Sequence, residues 1–141
     1  MKVKVSKIVP KGYIGITLWP FGIFVSEVKW LTVQWLLNHE GTHWKQQKET
    51  AVVGGIISLI TGGLLMAFGV FSWWMLLLLL FPFLLFYLEY VIEWFIKLFI
   101  HGGQSYQNLG AEREANLYEH DDTYLSRRKL FAHIKYIFKK P

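Results

Sequence analysis

His39-Glu40-Gly41-Thr42-His43 is followed seven positions later by residues 50–88, a run of 39 positions with neither a charged side chain nor a histidine. The pentapeptide sets a chemistry and the run sets a solvent. An α-helix turns once every 3.6 residues, so two histidines four apart lie on one face and their imidazoles converge on one point, where they can share a metal ion. Glu40 follows the first histidine directly and points to the side of that ion, where a carboxylate can hold a metal-bound water and take its proton. A helix is the expected context. Residues 30–49 contain no proline, and Val33, Leu36, Leu37, Glu40, Trp44 and Gln47 recur at steps of three and four. The plain alternative is an ordinary helix segment that holds no metal.

The uncharged run has the length of two membrane spans joined by a tight turn, since one span needs about 20 apolar residues. Its first part is rich in glycine (Gly54, Gly55, Gly62, Gly63), which lets helices approach closely in lipid. The turn is expected between Gly69 and Ser72. A second helix is expected over residues 73–100, framed by Trp73, Trp74, Tyr87 and Tyr90 at the membrane interfaces and kinked at Pro82. At about 42 Å it outruns a hydrocarbon core of about 30 Å, so Glu89, Glu93 and Lys97 should leave the lipid, the last two as an i, i+4 pair. Glu89 reaches back to the metal site or pairs at the interface.

Composition agrees with a membrane protein. The 141 residues are 53% hydrophobic with a mean hydropathy of +0.30, and the net charge of +5 comes from lysines and arginines on both sides of the apolar run, with none in its turn. Basic flanks place both termini in the cytoplasm by the positive-inside rule, and they account for the charge without a nucleic-acid partner. There is no cysteine, so disulfides and thiolate metal sites are excluded.

Before the metal helix, Lys2, Val3, Lys4 and Val5 alternate as in a short strand with one exposed face, or belong to a basic tail. Ile14, Ile16 and Leu18 alternate up to Trp19-Pro20-Phe21-Gly22, and Ile23-Phe24-Val25 follows, which reads as a hairpin turned at Pro20 and Gly22. Such a hairpin either offers an edge strand to an extended substrate or only covers the helix. After the apolar run, His101-Gly102-Gly103 ends the second helix. Residues 105–110 form a loop, and a last polar helix starts near Ala111 and continues past Asp121 into Arg127-Arg128-Lys129 and a tail with Lys139 and Lys140.

A catalytic zinc usually has three protein ligands and a water. No third histidine stands close behind the pentapeptide, so a downstream carboxylate is expected, Glu112 or Glu114. On a helix the two point about 200° apart, and only one can face the metal. Glu112 is preferred, because Ala115 permits close packing and Asn116 offers an amide to a ligand imidazole. For the oxyanion of a peptide-hydrolysis step, Tyr106, Tyr118 and His120 are unranked candidates.

His39-Glu40-x-x-His43, an apolar hairpin and Glu112-x-x-Ala115-Asn116 together resemble the membrane-embedded gluzincin proteases, the heat-shock membrane protease and CAAX prenyl protease group. There His-Glu-x-x-His precedes transmembrane helices and a Glu-x-x-Ala-Asp. His43-Trp44-Lys45-Gln46-Gln47 with Glu112-Arg113-Glu114-Ala115 is also similar to short uncharacterised bacterial zincin-like proteins. The resemblance implies a zinc ion held by His39, His43 and Glu112, Glu40 as general base, and a polypeptide substrate. The chain departs from the family in having Asn116 where the proteases have aspartate, which alters the support of a ligand histidine, and in being shorter than those enzymes. The expected whole is a mainly α, integral membrane protein of the inner (cytoplasmic) membrane, one minimal zincin-like domain. It comprises N-terminal strands at 1–29, a metal-binding helix at 30–49, a transmembrane hairpin at 50–100, and the third-ligand helix with its basic tail at 111–141. It acts as a metallopeptidase, the rival being a non-enzymatic membrane protein with a structural zinc clip.

Overall fold

The computed structural model describes residues 2–138, except for the side chain of His101, so Lys139 and Lys140 of the expected basic tail lie outside the described residues. The molecule is mainly helical with one small sheet. Strands β1 (Val3–Val5), β2 (Gly15–Leu18) and β3 (Gly22–Val25) lie in the order β1-β3-β2. The hairpin turns where expected: Phe21 N–H donates to the Leu18 carbonyl at 2.8 Å, with a cis bond between Trp19 and Pro20. β1 is a strand and pairs parallel to β3, Val3 opposite Ile23 and Val5 opposite Val25. Ile23 and Val25, on one face of the central strand, are wholly buried against Leu36, with Ile14, Trp30, Leu31 and Trp35 around them. Burying such side chains contributes roughly 1.5–3 kcal/mol each, which fastens the sheet to the helix that follows.

That helix, α1 (Gln34–Ala67), runs unbroken for 34 residues, about 51 Å. No proline interrupts it, and its buried threonines return their hydroxyls to the preceding turn, Thr42 to the Asn38 carbonyl and Thr50 to that of Gln46. Its first half is buried and polar; its second half exposes Val52, Ile56, Leu59, Ile60 and Leu64. It ends in the expected place: Gly69 takes φ +70°, and Val70 N–H reaches the Leu65 carbonyl at 2.9 Å, a left-handed cap that closes the last carbonyls.

The second helix differs from the expected single kinked span. Residues Trp73–Leu79 form a 3-10 segment, α2 (Phe81–His101) starts afresh, and the two are bent by 67°. Pro82 therefore lies in the first turn of α2, where its missing N–H costs nothing, instead of kinking a helix interior. Among the described residues α1 is long and apolar enough to cross a bilayer, and the bent pair passes the same test only if taken together. α1 and α2 meet closely at Gly54, where an added Cβ would stand 2.8 Å from Pro82 Cα.

The expected last helix is divided into α3 (Gly110–Tyr118), α4 (Tyr124–Arg127) and α5 (Ile134–Ile137). The break has a local cause. Asp121 Oδ1 accepts both the N–H and the hydroxyl of Thr123, an Asx turn that competes with helical bonding. Glu93 and Lys97 do form the i, i+4 pair, at 2.5 Å, but both are buried, and Glu93 also accepts the Gly110 N–H at 2.8 Å at the start of α3. Glu89 takes its second alternative: it pairs with His133 at 3.2 Å and not with the metal site.

Candidate metal centre

His39 and His43 lie in the first half of α1, and Glu112 in the first turn of α3, which packs across it. His39 Nε2 and His43 Nε2 are 3.2 Å apart, His43 Nε2 is 3.3 Å from Glu112 Oε1, and His39 Nε2 is 3.6 Å from Glu112 Oε2. Ligands at 2.0–2.1 Å from a tetrahedral zinc are separated by about 3.3 Å, close to the spacing of each imidazole from the other and from one of the two Glu112 oxygens. This group can hold a metal ion.

Proton bookkeeping supports the same conclusion. His39 Nδ1 lies 3.1 Å from Glu119 Oε2, and a carboxylate only accepts, so Nδ1 donates. His43 Nδ1 lies 2.8 Å from Gln46 Oε1, an amide oxygen that also only accepts. In the neutral imidazoles both Nε2 atoms then carry lone pairs, directed at each other and at a carboxylate. Acceptors this close repel unless a cation sits between them, a metal ion or a proton on one Nε2. Burial alone would lower His43 and raise the Glu112 carboxyl, but each holds the other charged: with a proton in the place of the cation His43 is pushed up to about 9, and Glu112 is held far below the usual carboxylate range. It is thus an anionic ligand at any physiological pH. Tyr90 and Tyr106 hydroxyls both donate to Glu112 Oε1, at 2.8 and 3.0 Å, and burial first, then the Glu112 charge, keeps Tyr106 protonated.

Glu40 stands beside the ligands against β2. Thr17 Oγ1 lies 2.7 Å from Glu40 Oε2 and 2.9 Å from the Glu40 main-chain oxygen, and the other carboxylate oxygen occupies the space that a Cβ at Gly15 would need, at 2.8 Å. β2 is an edge strand. Ile14 accepts from Ser26 across the hairpin, so by alternation Ile14, Ile16 and Leu18 bond to β3, while Gly15, Thr17 and Trp19 turn their main-chain groups to the open edge. The Gln47 amide satisfies two of these, accepting from Trp19 N–H at 2.8 Å and donating to the Thr17 carbonyl at 2.9 Å. Gly15 N–H and C=O and Thr17 N–H remain along the edge. A cavity of about 720 Å³ is lined by β2, His39, Glu40, His43 and Glu112, and by Phe86, Tyr87, Tyr90 and Tyr106 on its far wall.

Each of the four site residues expected from the sequence thus reaches one place. Glu114 points the other way, as the 200° separation requires, to Arg128 and Tyr124. Asn116 lines the cavity, but the ligand-imidazole hydrogen bond expected of it comes from Glu119, two turns along from Glu112. Of the three oxyanion candidates only Tyr106 faces the cavity; Tyr118 stacks on Tyr124 at 3.7 Å and His120 is exposed beside Glu119. Sequence reading missed Tyr90, Glu119, Thr17, Gly15 and Gln46. Tyr90, expected at a membrane interface, donates to Glu112; its seven-residue step before Lys97 and three before Glu93 place it on the polar stripe of α2. Comparison with protein-family models, with curated proteins and with solved structures gives no match.

Proposed function

We propose that the chain is a zinc-dependent membrane metallopeptidase that hydrolyses peptide bonds at the cytoplasmic face of the membrane. The observation that carries this reading is the convergence of His39, His43 and Glu112, whose ligand atoms lie within 4.8 Å of one another, on a cavity that also holds Glu40 and an open strand edge. Zinc is the fitting metal because two imidazoles and one carboxylate in tetrahedral spacing, without thiolates, are the donor set of hydrolytic zinc sites. When bound there it supplies a water of lowered pKa and polarises a carbonyl.

The residues divide the remaining work. His39, His43 and Glu112 hold the metal. Glu40, steadied by Thr17, takes the proton of the attacking water and passes it to the leaving amine. Gly15 and Thr17 pair with an extended substrate backbone, as an exposed edge strand does. Tyr106 and Tyr90 line the cavity with hydroxyls that donate to Glu112, and would be the hydrogen-bond donors for negative charge developing on a substrate carbonyl. The resemblance to membrane gluzincins supports the assignment. The exposed apolar residues of α1 and α2 suit lipid, which would hold the chain as a hairpin.

The test uses Glu40→Gln in the detergent-purified full chain, with Glu112→Ala as the metal-free control. Glu40→Gln should retain zinc equal to wild type by metal analysis, yet hydrolyse unfolded polypeptides about 10²- to 10⁴-fold more slowly. Equal turnover by the two proteins would remove Glu40 from the mechanism. Zinc without turnover in wild type would favour a structural clip.

A further inference from the structure

The hydrogen-bond chain behind His43 does not stop at Gln46. Gln46 is wholly buried, and its Nε2 donates to the Ala111 carbonyl at 3.1 Å and to Glu114 Oε2 at 3.0 Å. Those two acceptors fix which end of the amide faces them, and so leave its oxygen for His43 Nδ1. Glu114, also wholly buried, is fixed in turn by Arg128, whose Nε donates to Oε1 at 2.6 Å and Nη2 to Oε2 at 3.1 Å, and by the Tyr124 hydroxyl at 2.6 Å. Arg128 is tied to α1 by an ion pair with Glu49, which accepts the Phe131 N–H as well. Gln46 and Glu114 are wholly buried, and each of the three guanidinium nitrogens of Arg128 donates to a carboxylate oxygen.

We infer that Arg128 and Glu114 are positioning residues of the metal centre, acting through Gln46 to present His43 with its proton on Nδ1 and its Nε2 lone pair towards the metal. The inference rests on the metal-site reading and not on peptidase activity. It gives the segment after α3 a task besides packing. It also gives the two ligand histidines unlike supports: a carboxylate, Glu119, behind His39, and a neutral amide backed by a buried ion pair behind His43. Without Glu114 and Arg128 only the Ala111 carbonyl opposes reversal of the Gln46 amide, which would offer its NH2 to Nδ1 and move the imidazole proton to the nitrogen the metal needs.

The experiment measures zinc affinity by competition with a chromophoric chelator, on the full chain in detergent, for wild type, Gln46→Leu, Arg128→Leu and the double variant, each shown to be folded by its melting transition. Gln46→Leu should weaken zinc binding about 10- to 100-fold, the range for loss of a ligand's outer partner. Arg128→Leu should fall in the same range, with Arg128→Lys partly restoring it. The double variant should bind zinc no worse than Gln46→Leu alone, because the path is already cut, although its melting temperature falls further. Should Arg128→Leu fail to fold, Glu114→Gln replaces it in the same cycle. Affinity of Gln46→Leu within twofold of wild type overturns the inference, as do losses that multiply in the double variant. Wild type that takes up no zinc would overturn the metal reading beneath it, a result distinct from either.

Discussion

At Gly15 a single missing carbon decides where Glu40 can stand. A methyl group there would lie 2.8 Å from Glu40 Oε1, while Thr17 on the same strand holds the other carboxylate oxygen, so Gly15→Ala should push the carboxylate from its place. Gly15 is no metal neighbour, so zinc content should stay at wild-type level while turnover falls about tenfold or more, since small misplacements of a catalytic group are costly. Unchanged turnover at equal zinc would show that Glu40 works from another position. The contrast with Glu112 shows what a sequence reveals at this scale. Helix geometry showed that only one of Glu112 and Glu114 can face the metal, because both lie on one short helix; the choice of Glu112 rests on Ala115 and Asn116 and holds, although the bond expected of Asn116 is made by Glu119. Glu119 and Thr17 escaped it: their partners lie 80 and 23 residues away, and a tertiary contact leaves no periodicity to read. The substitution at Asn116 flagged a missing carboxylate, but only the fold showed that Glu119 supplies one.

Between elements, α1 and α2 approach each other closely. Gly54 meets Pro82 Cα, so a larger residue cannot be accommodated by rotating a side chain; the helices themselves must part. Gly54→Val should therefore destabilise by about 1–3 kcal/mol, the usual cost of overpacking, and lower the melting temperature of the purified chain. A melting temperature within a degree of wild type would mean that the two helices separate freely. The turn at Gly69 is legible, because glycine suits a left-handed cap; of the glycines before residue 67, Gly54 serves a close helix approach and Gly62 an ordinary contact, while a Cβ at Gly55 or Gly63 would meet nothing within 4 Å. The fate of Pro82 was not legible. A proline interrupts a helix from inside or begins one, and the choice depended on a 3-10 segment at Trp73–Leu79 whose leucines read equally well as α-helix.

Across the whole molecule, charge and apolar surface are sorted along α1. Lys45 and Lys48 are exposed on the helix one to two turns before Val52 and Ile56, which begin the exposed apolar surface. Basic residues next to an apolar stretch orient it towards the cytoplasm. A reporter fused at Ser72 should accordingly be external and reporters at both termini cytoplasmic. A cytoplasmic Ser72 fusion with unchanged termini would replace the hairpin by an element lying on the membrane surface. Since α1 is one continuous rod, the two ligand histidines share it with that apolar surface, with no hinge between. Val52 lies nine positions after His43, which at 1.5 Å each is about 14 Å. On the proposed reading the helix is then a gauge: it holds the metal at a set height above the lipid, and an extended chain rising from the bilayer at about 3.3 Å per residue would meet it roughly four residues out.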